Sequence, residues 1–270
     1  MAMKRLQTIT EEQREDVLCP VCGKKVVALE YKLGKGDEVL SHVNCECWLK
    51  EIEEEDRRFE AQKAAIDLDK RQKAAGMSRF ELKQRFENDD GRYTEATQKC
   101  LDYVKRFDKM KEKGRGLLIY GGMGTGKTFM SNCVANALME KGVNVRRISL
   151  VKLLNFRISM DNINTMNEVV ETLKSAGLVV IDDYGVERDT PYIDENIFAI
   201  IDTLYNDGVP MVITTNLNAE QLRKNPNAVK ARSHERILEN VVIVRMVGDS
   251  RRPALAAQAK MDTEMIFSAE

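Results

Sequence analysis

Two stretches of this chain have the residue types and spacing needed to handle phosphate. Gly121, Gly122, Met123, Gly124, Thr125, Gly126, Lys127 and Thr128 read G-x-x-x-x-G-K-[ST], directly after the apolar run Gly116 to Tyr120 and at the head of a helical pattern. Glycines at that spacing let successive backbone N–H groups turn inward as an anion nest, and the helix N-terminus adds partial positive charge. Lys127 is expected to reach the β- and γ-phosphates of ATP. Thr128 is expected to offer its hydroxyl to Mg²⁺, a hard cation that takes oxygen ligands.

The second stretch, Leu178-Val179-Val180-Ile181-Asp182-Asp183, is a buried-strand pattern ending in two carboxylates, a Walker B signature. Asp182 is read as orienting the Mg²⁺ shell and Asp183 as the general base that polarises an attacking water. Thr214-Thr215-Asn216 closes the next apolar strand, and the Asn216 amide suits a γ-phosphate or the lytic water. Arg232 and Arg236 lie four apart on one helix face, and either could be an arginine finger supplied to a neighbouring subunit. Gly248-Asp249-Ser250-Arg251-Arg252 follows the last strand, and its arginines could sense nucleotide within the same subunit.

A different chemistry is written near the N-terminus. Cys19-Pro20-Val21-Cys22-Gly23 is a knuckle that aims two thiolates at one ion, and Cys45-Glu46-Cys47 is a second, tighter pair. The expected ligand is structural Zn²⁺, held by Cys19, Cys22, Cys45 and Cys47, or with His42 replacing one thiolate.

These residues need elements to hold them. The 270 residues exceed one typical domain, and the apolar share of 43% supports a sizeable core. From Gly114 onward strand and helix patterns alternate, which predicts an α/β fold with a parallel sheet flanked by helices. Strands are expected at Gly116 to Tyr120, Val143 to Ser149, Leu178 to Ile181, Met211 to Thr214 and Val241 to Arg245. Helices are expected near Thr128 to Lys141, Ile193 to Asp207 and Asn227 to Glu239. Ahead of this core, residues 1–75 read as a zinc-binding and helical domain, with short strands at Lys24 to Leu29 and Val39 to Val43 and a helix from Glu51 to Ala75. Residues 76–112 read as a linker and a helix presenting Leu101, Val104 and Phe107, and residues 113–270 as the ATPase domain.

Net charge is −1, so bulk charge neither supports nor excludes nucleic acid. Basic residues do gather at Lys105 to Arg115, and again at Arg146, Arg147, Lys152 and Arg157 around Phe156, a candidate base-stacking platform. Met1 to Val17 lacks the apolar core of a secretory signal, no apolar run is long enough to span a bilayer, and the chain reads as cytoplasmic.

Taken in order, these residues resemble the DnaC/IstB group of AAA+ ATPases, in particular helicase loaders of the DnaC and DnaI type from phage or mobile elements. The resemblance spans Phe86 to Arg252. It rests on Tyr103-Val104, Gly116-Leu117-Leu118 and the P-loop, then Ile181-Asp182-Asp183-Tyr184-Gly185-Val186-Glu187 and Ile213-Thr214-Thr215-Asn216-Leu217, and finally the Arg232 to Arg236 segment and Gly248-x-Ser250-x-Arg252. It implies an arginine finger at Arg236, a sensor at Asn216 and a second sensor at Arg252. It also implies an ATPase that loads a hexameric replicative helicase onto single-stranded DNA, as an ATP-dependent homo-oligomer or on the helicase hexamer, gripped through the cysteine module; the short Asp183 side chain predicts that turnover is slow. The competing implication is an IstB-like transposition helper that binds duplex DNA and a transposase. This chain departs from the group where Leu204-Tyr205 stands for the common Arg-Tyr, and in having Asp183 where a longer Glu is usual.

Overall fold

The computed structural model describes residues 14–19, 21–33, 37–43, 45–151, 153, 163–187 and 190–268. The chain divides into two compact units, Met1–Ile66 and Asp67–Glu270.

In the first unit, β1 (Arg14–Leu18), β2 (Lys25–Leu33) and β3 (Asp37–Val43) form an antiparallel sheet in the order β1-β2-β3. The register runs from Leu18 opposite Lys25 and from Val27 opposite Val43, so the sheet is a simple meander. The β1–β2 turn is closed by the N–H of Gly23 on the carbonyl of Cys19 at 2.8 Å. Helix α1 (Glu46–Ala74) follows, 29 residues of mostly charged and small side chains with no interior Gly or Pro. Intrinsic propensity and i,i+4 ion pairs such as Arg58–Glu54 and Lys73–Asp69 support it. The unit boundary falls inside α1, after Ile66.

The second unit is built on a five-stranded parallel sheet in the order β5-β6-β7-β4-β8. Its strands are β4 (Gly116–Tyr120), β5 (Val145–Ser149), β6 (Leu178–Tyr184), β7 (Met211–Thr215) and β8 (Val241–Arg245). The central strands are apolar on both faces because both are covered. Leu117, Ile119, Leu178, Val180 and Val212 face a core shared with α2 (Thr94–Lys105), α3 (Phe107–Glu112) and α4 (Lys127–Glu140). Leu118, Val179, Ile181, Met211 and Ile213 face the other core, shared with α5 (Ile163–Lys174), α6 (Pro191–Asn206), α7 (Ala219–Arg223) and α8 (Ala228–Glu239). Each buried Leu or Ile stabilises the sheet by about 1.5–3 kcal/mol. A last helix, α9 (Arg252–Ser268), has no buried residue.

Two local expectations change. The helix expected within residues 76–112 is broken at Arg106 (φ −105°, ψ 19°) into α2 and α3. Its inner face is Ala96, Cys100, Tyr103, Val104 and Phe107, whereas Leu101 is exposed, because Tyr103 reaches inward to the carbonyl of Arg115. Residues 77–91, read as a linker, fold into short 3-10 turns at Glu81–Lys83 and Phe86–Asn88, with Leu82 and Phe86 packed on the first core. Among the described residues, no helix is long and apolar enough to cross a membrane. Residues 1–13, which bear most of the reading of the chain's start, lie outside the described residues, as do Lys152, Phe156 and Arg157.

Candidate nucleotide site

The loop Gly121–Thr128 leaves β4 and enters α4 at the C-terminal edge of the sheet, where ligands of open α/β folds bind. Its glycines are structural as well as permissive. Gly124 sits at φ +75°, and a Cβ there would stand 2.1 Å from Ser250 Oγ, so the loop and the segment entering α9 touch backbone to side chain. The N–H of Arg251 donates to the Gly124 carbonyl at 2.8 Å and fastens the same contact. Met123 is exposed at the loop tip, whereas Thr125 is buried with its hydroxyl on the Gly122 carbonyl at 3.0 Å.

Lys127 is buried at the head of α4. Its ammonium donates to the carbonyls of Gly121 (3.1 Å) and Gly122 (2.7 Å) and to the amide oxygen of Asn216 (2.8 Å). Burial lowers its pKa, the Asp183 and Asp182 carboxylates oppose that shift, and Arg252 adds to it. Lys127, Asn216 and Arg252 at the start of α9 therefore share one electrostatic environment.

β7 lies between β4 and β6, which separates the loop strand from the Walker B strand by two spacings, about 9.5 Å. Thr214 of β7 spans part of that distance. Its buried hydroxyl donates to Asp182 Oδ1 at 2.7 Å and accepts from the N–H of Asp183 at 2.9 Å. Thr128 comes across from α4, its hydroxyl donating to the same Asp182 oxygen at 3.0 Å. A threonine hydroxyl and a carboxylate thus converge as hard oxygen donors, which fits the donor set of Mg²⁺. Asp183 has φ +56° and is solvent-exposed. Desolvation at its inner end and the neighbouring Asp182 carboxylate raise its pKa, with water screening part of the effect. A cleft of ≈ 540 Å³ opens beside Gly121 and Gly122, walled by Tyr120, Asn216, Arg223 and Arg245.

The structure thus brings Gly121, Gly122, Gly124, Thr125, Gly126, Lys127, Thr128, Asp182, Asp183, Asn216 and Arg252 to one edge. Arg236 is elsewhere: it bonds Asp202 Oδ1 at 3.1 Å and stacks 4.5 Å from the Tyr205 ring, both on α6. Among the described residues, no contact joins Arg236 to its own loop, and Arg232 on the same helix is exposed.

One assignment is corrected. Arg147, read as part of a DNA-facing basic group, has only 11% of its side chain exposed and bonds Asp182 Oδ2 at 2.6 Å. A parallel register that sets Arg147 opposite Val180 and Ser149 opposite Asp182 brings its long side chain within reach of that carboxylate. Its charge, expected on a nucleic-acid-facing group, is instead committed to this carboxylate, and Thr214 does not stand out in the sequence because the adjacent Asn216 offers the more familiar role.

In the other unit, Cys19 follows β1, Cys22 lies in the β1–β2 turn, and Cys45 and Cys47 flank the start of α1. All four Sγ atoms lie within 4.8 Å of one another, with Cys45 at 3.3 Å from Cys19 and 3.6 Å from Cys22. Tetrahedral Zn–S bonds place sulfurs about 3.8 Å apart, so the cluster fits that ion. The N–H groups of Cys22 and Val21 hold the Cys19 thiol down to about 7, while the hydrogen bond of the Cys47 thiol with Cys22, and then desolvation, push Cys47 up to about 12. A cation between the sulfurs would favour the thiolate form of all four. The side chain of His42, the alternative ligand, lies outside the described side chains.

A parallel sheet with a strand inserted between the P-loop strand and the strand that ends in Asp182 and Asp183, and a threonine–aspartate pair beside a buried P-loop lysine, defines an α/β fold of the P-loop kind. The chain belongs to the family of IstB-like ATP binding proteins, whose pattern matches residues 53–259. It is 28% identical over 165 residues to the replicative helicase loader DnaI of Bacillus subtilis, covering 57% of this chain and 53% of that protein. Against the replicative helicase loader DnaC of Escherichia coli it is 28% identical over 131 residues, covering 48% and 52%. The chain therefore spans about half the length of these relatives. A crystal structure of DnaI superimposes with a TM-score of 0.54 at 24% identity, over 64% of this chain and 95% of that one, a likeness of fold.

Proposed function

We propose that the protein is a Mg-ATP-dependent loader that binds a hexameric replicative helicase and delivers it to single-stranded DNA. The observation that carries the nucleotide half is the convergence of Lys127, Asn216, Thr128 and Asp182 at the edge of one sheet. Lys127 and the loop N–H groups bind the phosphate chain, and the N-terminus of α4 adds its dipole. Thr128 and Asp182 would hold a magnesium ion, which would supply positive charge against the phosphates. Asp183 takes the proton of the attacking water, and Asn216 orients that water against the γ-phosphate. Arg236, turned away from its own loop, completes the site of a neighbouring subunit in an ATP-dependent oligomer. Cys19, Cys22, Cys45 and Cys47 hold Zn²⁺ and shape the module that grips the helicase.

Similarity to helicase loaders supports the partner half of this reading. Light-scattering masses of full-length chain mixed with the replicative helicase encoded in the same genome test it directly. An ATP-dependent complex is expected with wild type and is expected to be lost with Lys127→Ala; no complex under any nucleotide condition refutes the loader reading. The IstB-like family pattern keeps a transposition helper as the second reading. Tighter binding to duplex than to single-stranded DNA at fixed salt would favour it.

A further inference from the structure

The groups that fasten the Asp182 carboxylate include one from outside the loop and outside strands β6 and β7. Arg147 lies on the edge strand β5. Its backbone N–H donates to the carbonyl of Ala75 at 2.7 Å, immediately after the end of α1. Gly76 follows at φ +74°, and a Cβ there would stand 2.9 Å from the Arg147 carbonyl oxygen, so the chain turns away from α1 against this strand only as glycine. The guanidinium of the same residue bonds both Asp182 Oδ2 at 2.6 Å and Glu81 Oε1 at 2.9 Å. Glu81 accepts from the N–H of Ser78 through its other oxygen at 2.7 Å, and Asn136 of α4 donates to the carbonyls of Glu81 and Gln84. A continuous set of bonds therefore runs from the exit of α1 through Glu81 and Arg147 to Asp182.

We propose that Arg147 and Glu81 are positioning residues that set how tightly Thr128 and Asp182 hold a divalent cation, and that the seating of residues 75–84 is thereby coupled to the nucleotide site. The sign follows from charge. A cation at Asp182 is opposed by the guanidinium bonded to that carboxylate, and Glu81 offsets the opposition. With residues 75–84 seated, Glu81 neutralises Arg147 and cation binding is favoured. By linkage, the bound cation favours the seated segment to the same degree. Helix α1 is the covalent path from the cysteine-bearing unit to this segment. A partner drawing on α1 would lower cation affinity at Asp182.

This inference rests on the magnesium–nucleotide reading above, and the experiment separates the two. Binding of a fluorescent ATP analogue to full-length protein is measured first in EDTA and then during titration with MgCl₂. Glu81→Gln is expected to weaken the apparent Mg²⁺ affinity and Arg147→Gln to strengthen it, each by about fivefold or more. A merely structural role for the pair would move both variants the same way. In wild type, amide hydrogen exchange over residues 75–84 is expected to slow when MgCl₂ is added to the nucleotide-bound protein; this needs no variant and stands if one fails to fold. Same-direction shifts, no shifts, or magnesium-insensitive exchange overturn the inference while leaving nucleotide binding intact. Absence of any nucleotide signal sinks both readings together.

Discussion

Replacing Thr214 by valine tests whether the strand between P-loop and Walker B acts as the brace of the site. Valine keeps the shape of a fully buried side chain but removes a hydroxyl that donates to Asp182 Oδ1 at 2.7 Å and accepts from the N–H of Asp183 at 2.9 Å. Loss of the charge-assisted bond costs about 1.5–3 kcal/mol, and the N–H left without its acceptor costs about 1–3 kcal/mol more, partly overlapping with the first. A combined loss of about 3 kcal/mol is expected. For a unit of this size that is a fall in Tm of about 6–12 °C in the transition of residues 67–270. Scanning calorimetry of Thr214→Val beside Thr214→Ser checks it. Serine keeps the hydroxyl and loses one methyl, so its cost is about 1 kcal/mol. If valine is as stable as wild type, or serine is hurt as much as valine, the hydroxyl is not the brace and the argument fails.

Three further outcomes are expected. Arg236→Ala should abolish ATP hydrolysis while leaving nucleotide affinity and, because the Asp202 pair is partly exposed, stability within about 1 kcal/mol of wild type; mixing it with Lys127→Ala should restore turnover, and failure of that mixture to recover any activity contradicts a finger acting in trans. Metal analysis should find one zinc per chain and none in Cys45→Ser, since the Cys45 Sγ lies within 3.6 Å of two of the other three sulfurs. Asp183→Asn should stabilise the fold near pH 7. The folded pKa of Asp183 is raised, so its ionisation penalises the folded state above that pKa and the penalty disappears as pH falls below the ordinary carboxylate range. Equilibrium unfolding of the variant and wild type at pH 7 and pH 3 should differ in the first case and converge in the second.

Legibility varied with how local each signal was. The five parallel strands lie at or within a few residues of their expected spans because the runs Leu178 to Ile181 and Met211 to Thr214 are apolar on both faces, and only a covered sheet tolerates that. Helix α5 and the exposed α9 were not anticipated, nor was strand β1. Their patterns are weak: Arg14–Leu18 is five residues with two acidic side chains, and α9 buries nothing that would impose a period. The break at Arg106 and the inward turn of Tyr103 depend on where β4 begins, which α2 and α3 do not encode by themselves.

The site divides the same way. The P-loop, the aspartate pair and the four cysteines were readable because each chemistry is carried by residues close in sequence, where backbone geometry alone brings donors together. What only the tertiary structure decided was the company these groups keep across strands. Strand order put Thr214 between Asp182 and the loop, and parallel register put Arg147 on the same carboxylate rather than in a nucleic-acid-facing group. A charge is worth what its surroundings make it, and for Arg147 those surroundings come from residues 66 positions before it and 35 after it: Glu81 and Asp182.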